Sequence, residues 1–391
     1  MAVRVLHLVH WLNRGGIESW LLDLIRATDR SDVAMDIVCR GPHTGELVPL
    51  FEQAGASVHL LTMGWNPSSF GGRLKQLIRE QQYEVLHVHG GSFVGYPCKI
   101  AKQAGAAAVC TFHSTKFIIE TGSIPSFLAK AREFYTRRSF KLACQQSDRI
   151  VAVSQAVMDS VIQIAGVTPD NRFKVLLLGT SMSASVDPAV RAAVRSELAM
   201  TAFTPVAIHA GTMRDPKNHA GLLRIANLIR RQIPDFRLIL AGDGPLRPKI
   251  ESQISNLKLE NTVTLLGVRS DVERLLEASD IMIFPSLWEG FGIAALEAQI
   301  KGLPVVGSDI PALHESTAPM QRDLLFPVRQ EQQMADAAVA LLRDPQRRRT
   351  LGEAVSQYAA ERFSIKSNAQ RHLELYRSIT TSASSITSSS A

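Results

Sequence analysis

Glu289 and Glu297 bracket seven residues, Gly290-Phe291-Gly292-Ile293-Ala294-Ala295-Leu296, and this is the stretch whose residue types could do chemistry. Just before it, Asp280-Ile281-Met282-Ile283-Phe284-Pro285 reads as a buried strand ending at a proline. After the glycines, Ile293 to Ala298 is strong helix-forming sequence. Glycines between a strand and a helix let the backbone approach a ligand closely. The free N–H groups of a first helical turn then face that ligand with partial positive charge, which suits a diphosphate. Glu289, ahead of the helix, can reach beyond the phosphate, and Glu297 can reach back along the first turn. Carboxylates accept hydrogen bonds from paired hydroxyls. A diphosphate between two polyhydroxylated rings, the layout of a nucleotide sugar, would use all three elements. The competing reading is an ordinary strand–turn–helix with solvated glutamates.

A second constellation, Gly211-Thr212-Met213-Arg214-Asp215-Pro216-Lys217-Asn218-His219, follows the strand Pro205–Ala210. Arg214 and Lys217 at a strand's carboxyl end can neutralise a phosphate pair, and a diphosphate leaving group gains charge as its bond breaks. A plain charged surface loop is the alternative. Ala241-Gly242-Asp243-Gly244-Pro245 and Gly267-Val268-Arg269 each follow further strands and offer Gly242 and Arg269 as candidates. Near the start, Asn13-Arg14-Gly15-Gly16-Ile17-Glu18 is a glycine turn into a helix, too short for a dinucleotide fingerprint. Glu18 there complements the helix dipole. His113 ends the strand Ala108–Phe112, where its side chain could donate to a hydroxyl or serve the structure alone. His87 and His89 lie two apart on one strand face, His87 reading as structural and His89 as structural or acceptor-facing.

The segment Ser286 to Glu297 resembles the donor-site signature of retaining glycosyltransferases of the GT-B fold, family 4 (glycosyl transferases group 1), and the resemblance extends from Leu6 to about Ile379. It implies that Glu289 contacts the donor sugar. The amides of Gly290, Phe291, Gly292 and Ile293 would hold the diphosphate, and Glu297 would bind the ribose. Lys217 matches the donor-loop lysine. The arginine that often follows the loop glycine is replaced by Thr212, with Arg214 two residues on. By the same resemblance Gly15 and Gly16 approach donor phosphates or acceptor, His113 lies near the donor sugar, and Gly242 and Arg269 lie near the base. Catalytic roles fall on Glu289, His113 and Lys217.

The elements that must position these residues alternate short β-rich runs with helical ones, so the fold class is α/β with parallel sheets. Strands are expected at Val3–Val9, Ala34–Cys39, Ser57–Leu61, Val85–His89, Ala108–Phe112, Arg149–Val153 and Lys174–Leu178, then Pro205–Ala210, Phe236–Ala241, Val263–Leu266, Ile281–Phe284 and Pro304–Gly307. With the resemblance this becomes GT-B: two Rossmann-like, doubly wound parallel-sheet domains facing a central cleft. The expected division is an acceptor-side domain over 1–182, a nucleotide-sugar domain over 183–363, a return helix over 364–379 packing towards the first domain, and a disordered Ser/Thr/Ala tail over 380–391. The boundary follows from the polar run Thr180–Ser185 and the proline-led helix after Asp187.

Composition bounds the rest. At 391 residues and 46 % hydrophobic, the chain can fill two globular cores. No apolar run approaches the ~18 residues of a membrane span, and no signal peptide is evident. Four scattered cysteines, Cys39, Cys98, Cys110 and Cys144, suit a reducing cytoplasm. The net charge of +7 fits a phosphorylated substrate or an anionic surface, and no nucleic-acid motif accompanies it. If Ser126–Cys144 is helical, Lys130, Arg137 and Lys141 share a stripe beside Phe127, Leu128, Phe134, Tyr135 and Leu142. Such a face packs on a core with its charges solvated, or lies on an anionic membrane.

No D-x-D occurs, so helix amides and Lys217 would hold the diphosphate without a metal, and no cofactor is expected. The expected reaction moves a sugar, by family habit UDP-linked, to a hydroxyl of a glycan or lipid-linked acceptor. It would run with retention, on the cytoplasmic side, in cell-surface or exopolysaccharide assembly. The rivals are a catalytically silent nucleotide-sugar-binding scaffold and a glycogen- or sucrose-type synthase, the compact size arguing mildly against the latter.

Overall fold

A computed structural model of the chain describes residues 2–64, 66–116 and 126–387. Two compact units result, one running to Gly179 and resuming at Ile365, the other spanning Thr180–Ser364. In the first, seven parallel strands take the order β3-β2-β1-β4-β5-β6-β7. They are β1 (Val3–Val9), β2 (Val33–Cys39), β3 (Val58–Leu60), β4 (Val85–His89), β5 (Ala107–Phe112), β6 (Arg149–Ala152) and β7 (Phe173–Val175). In the second, six take the order β10-β9-β8-β11-β12-β13. They are β8 (Val206–Ala210), β9 (Arg237–Ala241), β10 (Val263–Gly267), β11 (Ile281–Phe284), β12 (Val305–Ser308) and β13 (Leu325–Phe326). Every expected strand is present. Only β13 was not expected, because two residues carry no periodic signal.

Strands covered by helices on both faces must be apolar at nearly every position. β8 and β11 are buried throughout, and their side chains alternate between two cores. Ala207, Ile281 and Ile283 join Leu222, Ile225 and Ile229 on one face. Val206, Ile208, Met282 and Phe284 join Leu275, Ala295 and Ala298 on the other. Each fully buried aliphatic side chain contributes about 1.5–3 kcal/mol, so these layers fix the sheet on which the loops stand. Strand order reverses between β1 and β4 and between β8 and β11. Crossovers diverge there and leave a crevice at the strands' carboxyl ends.

Two boundaries differ from expectation. The division falls at Gly179/Thr180, three residues early, because the polar run is not a free linker. The Thr180 N–H donates to Phe363 O at 3.0 Å, and Lys301 Nζ donates to Ser185 O at 2.7 Å. The final helix, Ile365–Thr387, continues past 380 where a disordered tail was expected; 388–391 lie outside the described residues. No glycine or proline interrupts 365–387, and its docked first half supplies the nucleus that a helix lacks in isolation. Tyr376 is fully buried, and Trp20 Nε1–H donates to Asn368 Oδ1 at 2.9 Å.

Candidate functional site

One candidate site stands at the carboxyl ends of β8 to β11. Lys217 Nζ lies 2.6 Å from Glu289 Oε1, and Ser286 Oγ–H donates to the same oxygen at 2.8 Å. Lys217 also sits 4.9 Å from the Phe284 ring centroid, a cation–π arrangement. The two loops are tied by their backbones. The Leu287 N–H donates to Pro216 O at 2.7 Å and Asn218 Nδ2 donates to Pro285 O at 3.0 Å. Asn218, at φ +51, also accepts from the Gly221 N–H and caps the next helix. The lysine stem passes over Gly211, where a Cβ would lie 3.2 Å from Lys217 Cε.

Gly242 has a steric reason of its own. Its φ is +136, and a Cβ there would fall 2.0 Å from Gly211 O. Its N–H donates to Gly267 O at 2.7 Å, while the Met213 N–H donates to Asp243 O at 2.9 Å. The loops after β8, β9 and β10 are thereby stitched side by side. Arg214 is exposed just ahead of the Asp215–Lys217 turn, without a side-chain hydrogen bond among the described residues. Arg269, a base-side candidate, is held by local carboxylates. Asp271 takes it at 2.7 and 2.8 Å and Glu197 at 3.4 Å, and these bonds push its guanidinium pKa up.

Gly292, at φ +90, turns the chain into the helix Ile293–Ile300, whose first-turn amides lie beside Glu289 in sequence. Gly290 precedes it, buried. Phe291 offers only its backbone, since its buried ring packs edge-on against Phe363 at 5.7 Å. Glu297 sits half-buried on the same helix. The structure thus brings Lys217, Glu289, Gly242 and the Gly290–Ile293 turn to one end of one sheet, where Arg269, after β10, is paired with Asp271 and Glu197.

In the first unit the helix Gly16–Ala27 begins at Gly15, where a Cβ would meet Glu18 Oε2 at 2.5 Å. Glu18 therefore folds back over the turn and does more than complement the dipole; burial pushes its carboxyl up to about 7. His113 heads a chain of imidazoles. Its Nε2 lies 3.0 Å from His89 Nδ1, and His89 Nε2 lies 2.9 Å from His7 Nδ1. His87 contacts the hydroxyls of Tyr376 at 2.7 Å and Thr111 at 2.6 Å. Burial holds His7 and His113 down at about 3 and His372 at about 4, and lowers His87 and His89 well below the ordinary histidine value. Ring nitrogens of His7, His87 and His89 all lie within 4.8 Å of one another. Sequence reasoning missed His7 and His372. The signal for His7 is its register opposite His87 across β1 and β4, which only strand pairing supplies.

The helix Ser126–Gln146 exists, but it does not bury the apolar arc. Phe140 and Ala143 face the core, while Phe127, Leu128, Phe134 and Tyr135 are exposed. An open cavity of about 660 Å³ beside it is lined by Phe93, Tyr96, Phe134, Tyr135, Arg138 and Leu142 among others. Among the described residues no helix is long and apolar enough to cross a membrane.

The family model described as Glycosyl transferases group 1 matches residues 193–358, and that described as Glycosyltransferase Family 4 matches residues 14–179. EpsF of Bacillus subtilis strain 168 is 27 % identical over 314 residues, covering 78 % of this chain and 79 % of that protein. N-acetyl-alpha-D-glucosaminyl L-malate synthase of Bacillus anthracis is 24 % identical over 79 % of this chain and 78 % of its own. Among solved structures, Anabaena Alr3699/HepE in complex with UDP and glucose superposes with a TM-score of 0.81 at 21 % identity, covering 96 % of this chain and 100 % of that one. Two Rossmann-like, doubly wound parallel-sheet units with strand-end loops define the GT-B fold. The two family models between them span most of the chain. It belongs to the group 1, family 4 glycosyltransferases.

Proposed function

We propose that this glycosyltransferase moves a sugar from a UDP-linked donor to a hydroxyl of a glycan or lipid-linked acceptor, with retention and without a metal. The observation that carries the reading is the Lys217–Glu289 pair beside the glycine-led helix. Amides of Gly290 to Ile293 and the Lys217 ammonium take the diphosphate charge, which grows as the anomeric C–O bond breaks. Arg214 supplies a further cation where the family's usual arginine is lacking. Glu289 orients the sugar and stabilises the developing positive charge. Glu297 holds the ribose hydroxyls, and Gly242 lets the base-side loop close on its neighbour. Gly15, Gly16 and His113 are the first unit's own candidates for phosphate, acceptor or sugar contact. The acceptor hydroxyl attacks the face the diphosphate leaves, and the departing phosphate oxygen takes its proton.

UDP is favoured because the similar Anabaena protein holds UDP and glucose. A lipid-linked acceptor, met by a peripheral enzyme at the inner membrane face, is favoured by the exposed aromatics and basic residues of the helix Ser126–Gln146. Glu289→Ala and Lys217→Ala test the reading: both should lower sugar transfer by about a hundred-fold or more while the protein stays folded. Wild-type product formation in both would leave the silent-scaffold alternative standing. Activity should survive EDTA, and its abolition would remove the metal-free part.

A further inference from the structure

We propose that His7 and His89 are positioning residues that hold His113 as its Nδ1–H tautomer, so that His113 presents a hydrogen-bond donor, and not a base, at the carboxyl end of β5. The proposal rests on the reading of His113 as a donor-sugar contact, but the proton arrangement follows from geometry.

Each N···N contact in the chain His7–His89–His113 requires one proton between its two nitrogens. A neutral imidazole carries only one N–H. Among the described residues no carboxylate hydrogen-bonds to any of the three rings, so nothing there supports an imidazolium. If His7 Nδ1–H donates to His89 Nε2, then His89 must carry its proton on Nδ1 and donate to His113 Nε2. His113 then carries its proton on Nδ1. In the reverse arrangement all three rings are Nε2–H. The three tautomers are locked to be the same, and no mixed set satisfies both contacts.

The ends of the chain choose between the two. His7 Nε2 and His113 Nδ1 are both buried without a partner. One must be a bare lone pair and the other an unused N–H. A buried N–H with no acceptor is rarer in proteins than an under-used acceptor. His7 is fully buried, His89 is 8 % exposed and His113 is half-buried, so the His113 end of the chain is the less deeply enclosed of the two, although its Nδ1 is itself covered. The lone pair therefore belongs on His7 Nε2, and the N–H on His113 Nδ1, the less enclosed end, where an oxygen of a bound sugar would accept it. His87 holds the alignment. Anchored by the hydroxyls of Thr111 and Tyr376, its ring stacks on His89 at 4.3 Å. Trp20 closes the other side, 6.0 Å from His89 and 5.8 Å from His113. The depressed affinity of all these rings for a second proton agrees with a neutral chain.

Long-range ¹H–¹⁵N correlation spectra of the full chain labelled with ¹⁵N-histidine read the tautomers directly. His7, His89 and His113 should all be Nδ1–H at neutral pH. A mixed set, or a shared Nε2–H, overturns the proposal. His7→Leu removes the first donor and should let His113 populate Nε2–H, with kcat falling about ten-fold. His7→Asn places an amide N–H near the lost Nδ1 and should restore both. An unchanged His113 spectrum in His7→Leu sinks the positioning role. If His7→Leu does not fold, the wild-type tautomers still decide. Zn²⁺ added alone should leave these signals in place. Stoichiometric shifts at His7, His87 and His89 would mean that the cluster is a metal site and that the inference fails. A wild-type chain with the expected tautomers but no sugar transfer would instead refute the proposed function and leave the histidine chain intact.

Discussion

Lys217 Nζ and Glu289 Oε1 meet at 2.6 Å although their residues stand 72 positions apart. Both side chains are mostly buried, at 17 % and 11 % exposed, so the pair holds its geometry against solvent. Each neutralises the other in this pair, and in the proposed reaction the lysine would take phosphate charge and the glutamate would face the sugar. Lys217→Ala and Glu289→Gln should each lower kcat/KM by about 10²–10³, the range for removing one preorganised electrostatic group. The double variant should lose less than the product of the two, because the groups act as a unit. Steady-state donor kinetics would check this, and full additivity would mean that the two groups act independently.

Gly242 is a steric hinge point between loops. Gly242→Ala must relieve a contact of 2.0 Å with a backbone oxygen at a φ of +136. A destabilisation of about 1–3 kcal/mol is expected from the strained backbone alone, together with weaker UDP binding as the Gly211 loop moves. Thermal unfolding and UDP titration measure the two effects, and an unaltered Tm with unaltered binding would contradict the stitched-loop account.

Acid should destabilise the first unit. His7, His113 and His372 have folded pKa values of about 3 to 4 against 6.5 when unfolded. Below pH 6.5 the unfolded chain binds more protons, so stability is full above that pH and is lost as pH falls towards 3–4. The slope approaches about 1.4 kcal/mol per pH unit for each such histidine. Urea midpoints at several pH values between 7.5 and 5 should fall steadily on acidification; a flat profile would rule out the neutral buried cluster.

Glu18 works with the opposite sign. Its folded pKa of about 7 exceeds the ordinary 4.5, so the folded chain binds the extra proton between those values. Stability from this group is present below pH 4.5 and declines as pH rises to about 7. Glu18→Gln should remove that decline and raise the midpoint at pH 8 relative to wild type. Parallel pH profiles for variant and wild type would show that Glu18 is not desolvated.

Acidic, glycine and helix-forming residues contiguous from Ser286 to Glu297 were legible by themselves, because a strand, a turn and a first helical turn are set by neighbours in sequence. The strand list was equally legible, since burial on both faces writes itself as unbroken apolar runs. Lys217 was recognised as a loop cation, but its partner was not, because that contact depends on β8 and β11 lying side by side. Arg269 was legible only as a strand-end cation near the base-side loop; its local partners Asp271 and Glu197 appear only in the fold. The aromatic arc of Ser126–Gln146 has helical spacing, yet spacing does not say which side the core takes, and Phe140 and Ala143 took it. The His7–His89–His113 chain was the least legible. Its members come from β1, β4 and the end of β5, and strand pairing joins them across 82 and 24 positions. Local chemistry is written in order along a chain, whereas proton-sharing contacts depend on register, which the packing of the whole sheet decides.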